Sequence, residues 1–141
     1  GGAGDKDTDL LYQFGRNLGL AFQIQDDLLD IYGDARVFGK VPGGDIIANK
    51  KTFLLVKAFE IASVSQMKKL QELFTSDDID PEKKVEEVTD IYDSLNIRNI
   101  TENLANEHIS IAFGKLDSVN VNKERKEEIA LITMSLIGRD Q

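Results

Sequence analysis

The segment Phe22-Gln23-Ile24-Gln25-Asp26-Asp27-Leu28-Leu29-Asp30 sets three carboxylates into an otherwise oily stretch. The apolar spacing around it predicts one long helix from about Thr8, as N-cap, to Tyr32, ended by Gly33. At about 100° per residue, Arg16, Gly19, Gln23, Asp26, Asp27 and Asp30 share one arc roughly 100° wide. Leu11, Phe14, Leu18, Phe22, Gln25, Leu29 and Tyr32 fall opposite, and that side is expected to be buried. Carboxylates one turn apart lie about 5 to 6 Å from each other and repel by roughly 3 kcal/mol at an effective dielectric of about 20. The macrodipole adds to the penalty, because the acids sit near the negative C-terminal end of the helix. A bound divalent cation would turn both penalties into binding energy. The alternative is a plain solvated acidic face. Gly19 and the uncharged Gln23 on the same stripe count against it, since such a face more often carries Lys and Glu.

With 141 residues the chain is long enough for one domain with a sizeable core. Its net charge of -8 argues against a sequence-independent nucleic-acid binder, which needs a basic surface to release counterions. Without cysteine there is neither a disulfide framework nor a thiolate metal site, a composition that fits a reducing cytoplasm. No stretch approaches the roughly 20 apolar residues of a membrane span, and no signal peptide is visible. The opening Gly1-Gly2-Ala3-Gly4-Asp5-Lys6-Asp7 has no initiator methionine and leads almost at once into a long helix, as expected for a fragment of a larger protein.

Repeated 3.6-residue patterns and only two prolines predict an all-α chain of about six helices. Gly33 to Ala48 is rich in breakers and reads as a loop. A helix is expected from about Asn49, with Phe53, Val56 and Phe59 in the core and Lys50 and Lys51 in its first turn. Two cations beside free backbone N–H groups form an anion site, or else are two surface lysines lying along the helix. Ser65 to Phe74 follows, with Met67, Leu70 and Phe74 inward. Asp80-Pro81 opens the next helix, which runs to about Leu95 on Val85, Val88, Ile91, Tyr92 and Leu95. A turn near Asn96 leads into another, to about Lys115, using Ile100, Leu104, Ile111 and Leu116. His108 lies on that face with no second His or Cys near it, so a structural role is expected. Asn122 caps a last helix with Ile129, Ile132 and Leu136 inward.

Three features are close in sequence: the acidic stripe, a glycine-rich loop carrying Lys40 and Asp45, and the basic pair beginning at Lys50. Carboxylates one turn apart suit a hard cation such as Mg²⁺, which keeps waters and shares a phosphate-bearing ligand; there is no twelve-residue calcium loop. Lysines beyond the metal would hold the remaining phosphate oxygens. The residues therefore read as a magnesium-assisted diphosphate site in a helical bundle, with carboxylates as ligands instead of as an acid–base pair.

Phe14-Gly15-Arg16-Asn17-Leu18-Gly19-Leu20-Ala21-Phe22-Gln23-Ile24-Gln25-Asp26-Asp27-Leu28-Leu29-Asp30-Ile31 resembles the second aspartate-rich region of the trans-isoprenyl diphosphate synthases. Gly39-Lys40, Gly44-Asp45-Ile46 and Asn49-Lys50-Lys51-Thr52 follow at the distances that family shows, and Arg139-Asp140 resembles the ending of bacterial members. The resemblance implies an isoprenoid-synthase-type bundle in which magnesium holds an allylic diphosphate, which ionises and is attacked by isopentenyl diphosphate. It implies that Asp26 is a direct metal ligand, supported by Asp27 and Asp30, and that Asp45 acts through metal-bound water. Phe22 and Gln23 are implied to lie by the allylic chain, Lys40 and Lys50 to contact its diphosphate, and Arg139 to order the C-terminal end. A homodimer is implied as well.

Only one aspartate-rich region stands in the chain. The resemblance implies a first such region, an isopentenyl-diphosphate site and helices that set product length, none of which is read in these residues. The expectation is therefore residues 1–141 as the C-terminal portion of one synthase domain, inactive alone and prone to self-association through uncovered apolar faces. Two other readings stay open: a non-catalytic helical module or partner subunit derived from such an enzyme, and a terpene cyclase, which the Gly-Lys, Gly-Asp-Ile and Asn-Lys-Lys-Thr series disfavours.

Overall fold

The computed structural model describes residues 2–33, 42–76 and 78–137. Seven helices and no strand occur among them: α1 Asp5–Tyr32, α2 Gly44–Ile47, α3 Phe53–Ile61, α4 Val64–Thr75, α5 Pro81–Ser94, α6 Ile97–Ser118 and α7 Lys123–Ile137. The expected class is all-α, and so is the fold. The chain divides into two compact units, Gly1–Gln23 with Leu104–Gln141, and Ile24–Asn103, and α1 and α6 contribute residues to both. No helix among the described residues is long and apolar enough to cross a membrane.

Several ends differ from the sequence expectation for local reasons. Helix α1 starts at Asp5, with Asp5 and Asp7 favourably placed against the positive end of the dipole. Thr8 is not its N-cap: its hydroxyl donates back to the Gly4 carbonyl at 3.1 Å, from inside the first turn. The expected loop from Gly33 to Ala48 contains the one-turn helix α2. Helix α3 begins at Phe53, where the Thr52 hydroxyl accepts from the Leu55 N–H, so Lys50 and Lys51 precede the helix instead of occupying its first turn. A capping box of Ser63 and Gln66 starts α4. Asp80 caps α5 by accepting from the Lys83 N–H, with Pro81 at the first helical position, as the sequence predicts.

In the unit Ile24–Asn103, Leu28 and Ile31 of α1 join Ile46, Leu54, Leu55, Ala58, Leu70, Leu73, Val88, Tyr92 and Ile97 in one buried cluster. Val85, Ile91, Leu95, Phe59 and Phe74 pack at its edge, in accord with their spacing. Val56 and Met67 are exceptions. Val56 is 57% exposed and Met67 37%, because α3 and α4 bury the neighbouring stripes Leu54-Leu55-Ala58 and Leu70-Leu73. The α5–α6 turn passes through Asn96 at φ 56°, a left-handed conformation that asparagine tolerates better than most side chains.

In the other unit, Phe14, Ala112 and Leu116 form a smaller cluster bordered by Leu18, Phe113 and Ala130. The Phe14 and Phe113 rings meet edge to face at 6.4 Å. His108 is half-buried and its Nδ1 lies 2.9 Å from Asn17 Oδ1, the structural role its isolation predicts. The core assigned to α7 is not observed. Ile129, Ile132 and Leu136 are exposed, and the buried residue of that helix is Thr133.

Candidate functional site

Where the acids sit on α1 follows from which stripe the helix buries. Ala21, Ile24, Leu28 and Ile31 are its buried apolar positions in this part of the sequence, so the buried face lies closer to the acidic stripe than the 3.6-residue pattern predicts. Asp27 falls on the border of that face and is only 4% exposed, whereas Asp26 is exposed and Asp30 is intermediate. Phe22, expected on the buried side, is 49% exposed. Gln23 is exposed too.

Helix α2 brings a second segment to the acids of Ile24–Asn103. Gly43 opens it in the left-handed region at φ 86°, and its N–H donates to the Asp30 carbonyl at 2.6 Å. A Cβ at Gly43 would fall 2.5 Å from Val85 Cγ1, so both backbone and space require glycine here. The Asp30 carboxylate then accepts from the Asp45 N–H at 2.8 Å, placing an anion on the first turn of α2. Burial raises the Asp30 pKa above its ordinary value; the Asp45 N–H pulls it back, and the Asp45 charge pushes it up.

The end of α2 aims Lys50. The Asn49 N–H donates to the Ile46 carbonyl and the Lys50 N–H to the Asp45 carbonyl, with Asn49 left-handed at φ 54°. These two bonds are a Schellman closure with asparagine in the place more often taken by glycine. Lys50 is thereby turned back onto the helix it leaves. Its Nζ lies 2.8 Å from Asp45 Oδ2 and 3.1 Å from Asp27 Oδ1. The hydrogen bonds to Asp45 and Asp27 hold the ammonium pKa above its ordinary value. The lysine side chain remains 43% exposed, so the cation is anchored yet accessible.

Of the residues expected in the site, the structure brings together Asp27, Asp30, Asp45 and Lys50, with Asp26 exposed next to Asp27. Lys40 and Arg139 lie outside the described residues. No three His, Cys, Asp or Glu side chains among the described residues converge as a ready-made metal cage. The donor chemistry fits magnesium nonetheless: carboxylate oxygens are hard ligands, and Mg²⁺ takes one or two of them and completes its shell with water and phosphate oxygens. Sequence reasoning took Asn49 and Thr52 only as part of a motif and Tyr92 only as a core position, and it missed Lys84, which donates to Asn49 Oδ1 beside Lys50. The signal was Lys84 itself, a lysine one turn before Val88 and two before Tyr92 on an apolar stripe.

Comparison with known proteins identifies the family and the fold. The family model for polyprenyl synthetase matches residues 1–94. The short chain isoprenyl diphosphate synthase of Methanothermobacter thermautotrophicus is 32% identical over 140 residues, 99% of this chain and 42% of that protein. The geranylgeranyl diphosphate synthase of Sulfolobus acidocaldarius is 43% identical over 67 residues, 48% of this chain and 20% of that one. Among solved structures, a geranylgeranyl pyrophosphate synthase superposes with a TM-score of 0.81 at 30% identity, covering 98% of this chain and 43% of its own. The polyprenyl synthetase of Streptomyces coelicolor gives 0.83 at 27% identity, covering 94% and 41%. The chain belongs to the polyprenyl synthetase family and has its helical fold. It spans about 42% of the length of the Methanothermobacter relative.

Proposed function

We propose that this chain is the C-terminal portion of a prenyl diphosphate synthase and supplies one side of its diphosphate site. The observation that carries the reading is Lys50 Nζ, poised between Asp27 and Asp45 beside the exposed Asp26. In the reaction proposed, the C–O bond of an allylic diphosphate breaks and diphosphate leaves with the electron pair. The double bond of isopentenyl diphosphate attacks the allylic carbon, and a proton is lost from the adduct. Asp26, Asp27 and Asp30 would hold magnesium, with Asp45 acting through its water; the ion would supply positive charge against the leaving diphosphate.

The remaining contributions come from the chain's own side chains. Lys50 offers an ammonium that stays protonated at any working pH and swings from its two carboxylates to a phosphate oxygen at small cost, being partly exposed already. Lys40 would add a second cation. Gln23 and Phe22 of α1 are both exposed and would line the path of the allylic chain.

Because the chain spans under half of such enzymes, it is expected to bind diphosphate without elongating a substrate, and to self-associate, as a homodimer in the whole enzyme. Calorimetric titration with inorganic diphosphate, with and without Mg²⁺, tests the site. Binding should require the metal and be lost in Asp26→Asn and Lys50→Met. Equal binding by those variants overturns the reading. Incubation with Mg²⁺, an allylic diphosphate and isopentenyl diphosphate should give no longer product, and an elongated one would show that the chain needs no other part.

A further inference from the structure

Among the described residues Lys84 is the one buried cation, 6% exposed. Desolvating an ammonium is costly, and a buried lysine ordinarily recovers that cost from a carboxylate. Lys84 has none. Its Nζ donates to the Asn49 Oδ1 amide oxygen at 2.5 Å and stands 4.8 Å over the Phe74 ring centroid. Burial alone shifts its pKa, and the direction is down. Methionine would fill the same space over Phe74 without that penalty, so what the lysine adds is a donor aimed at Asn49.

Asn49 is the left-handed residue that closes α2, and the next residue is Lys50. A non-glycine side chain at φ 54° is sparsely populated and persists when its surroundings hold it. The surroundings here are one helix. Along α5, Val85 sits against Gly43, Lys84 grips Asn49, and the buried Tyr92 faces the Thr52 side chain. These contacts clamp the segment Gly43 to Thr52 at its start, at the left-handed residue and at the cap of α3.

We propose that Lys84 is a positioning residue that fixes the direction of the Lys50 ammonium by tethering the Asn49 side chain. The consequence for ligand binding rests on the diphosphate site proposed above; the positioning itself does not.

The test is native-state hydrogen exchange on the full chain, read at the Lys50 amide against core amides such as Leu54, together with calorimetry using Mg²⁺ and inorganic diphosphate. In Lys84→Met the Lys50 amide should lose about tenfold in protection, the worth of one hydrogen bond to a charged group, while Leu54 is unchanged. Diphosphate affinity should fall by a similar factor, and Lys50→Met should gain nothing further from Lys84→Met. Asn49→Asp keeps an acceptor for Lys84 and should keep the protection. Asn49→Gly keeps the left-handed backbone but removes the acceptor, and should reproduce the loss even where Lys84→Met fails to fold. Unchanged Lys50 protection in Asn49→Gly overturns the proposal, as does a loss in Lys84→Met that Leu54 shares equally. Selective loss at Lys50 in a chain whose wild type ignores diphosphate supports the positioning and instead sinks the functional reading.

Discussion

The two units of the chain treat their side chains differently. In Ile24–Asn103, polar groups far apart in sequence are tied together: Asp30 to Asp45, Lys50 to Asp27, Lys84 to Asn49 and Tyr32 to Asp93. The large apolar residues around them are closed into one cluster. In the other unit the corresponding cluster has three buried members, and α7 leaves Leu131, Ile132 and Met134 each more than half exposed. The difference teaches where the sequence has stored its specification. One unit is over-determined around its carboxylates and lysine. The other has long-range polar pairs as well, His108 with Asn17 and the Asn120 N–H with Asp7, but its described residues leave the apolar side chains of α7 uncovered.

Breaking this contrast should be easiest at its most buried point. Leu70 is 0% exposed, and Leu70→Ala should cost roughly 2 to 5 kcal/mol in denaturant unfolding, whereas Ile132→Ala, at a position 62% exposed, should stay within about 0.5 kcal/mol. Equal effects would mean that the two regions are not differently packed. Next comes Gly43→Ala, which combines left-handed strain with a Cβ driven into Val85 and should cost roughly 2 to 4 kcal/mol. Pairing it with Val85→Ala sharpens the point. The double variant should be less destabilised than the sum of the singles, because one clash is removed and only the backbone strain remains.

The same contrast explains what could be read from sequence. The start of α5 at Asp80-Pro81 and the stripe Val88-Tyr92 were legible because local chemistry and burial agree there, whereas on α1 the spacing marked the acids but not the burial of Asp27 or the exposure of Phe22. The one-turn helix α2 was not, since its stability comes from Asp30 and Val85, which lie outside the glycine-rich segment. The first turn of α3 was misplaced because Thr52, a strong cap, outcompetes Asn49, which is committed to closing α2 instead. Ile129, Ile132 and Leu136 illustrate the opposite failure. Helical spacing marks a face that can be buried, but it does not say that the same chain buries it.

Asp30 offers a smaller and more selective probe. Its folded-state pKa is raised by burial, so between the ordinary value of 3.8 and that raised value the folded state holds more protons than the unfolded one. Stability contributed by this residue therefore falls as pH rises through that window and stays lowered above it. Asp30→Asn keeps an acceptor for the Asp45 N–H and removes the titration. In metal-free buffer the variant should gain in melting temperature over wild type as pH is raised from below 3.8, then hold a constant lead. A lead that shrinks with rising pH would show that the Asp45 N–H and Lys50 outweigh burial. In the calorimetric assay the same variant should weaken magnesium-dependent diphosphate binding, the opposite sign from its effect on stability.

The smallest effect on the isolated fold should come from the exposed face of α7, and there the contrast acquires a concentration dependence. Leu131 and Ile132 are 67% and 62% exposed, so Leu131→Gln with Ile132→Gln removes little burial and places a good helix former at each position. At low concentration the melting temperature should be nearly unchanged. Wild type should melt higher as protein concentration rises, because association of folded chains draws the equilibrium toward the folded state; the double variant should not. Light scattering supplies the second measurement, with wild type growing in mass and the variant staying near one chain. If wild type is strictly monomeric at high concentration, the exposed apolar positions of α7 are not joining copies of this chain, and the proposed self-association fails while the diphosphate site in the other unit is untouched.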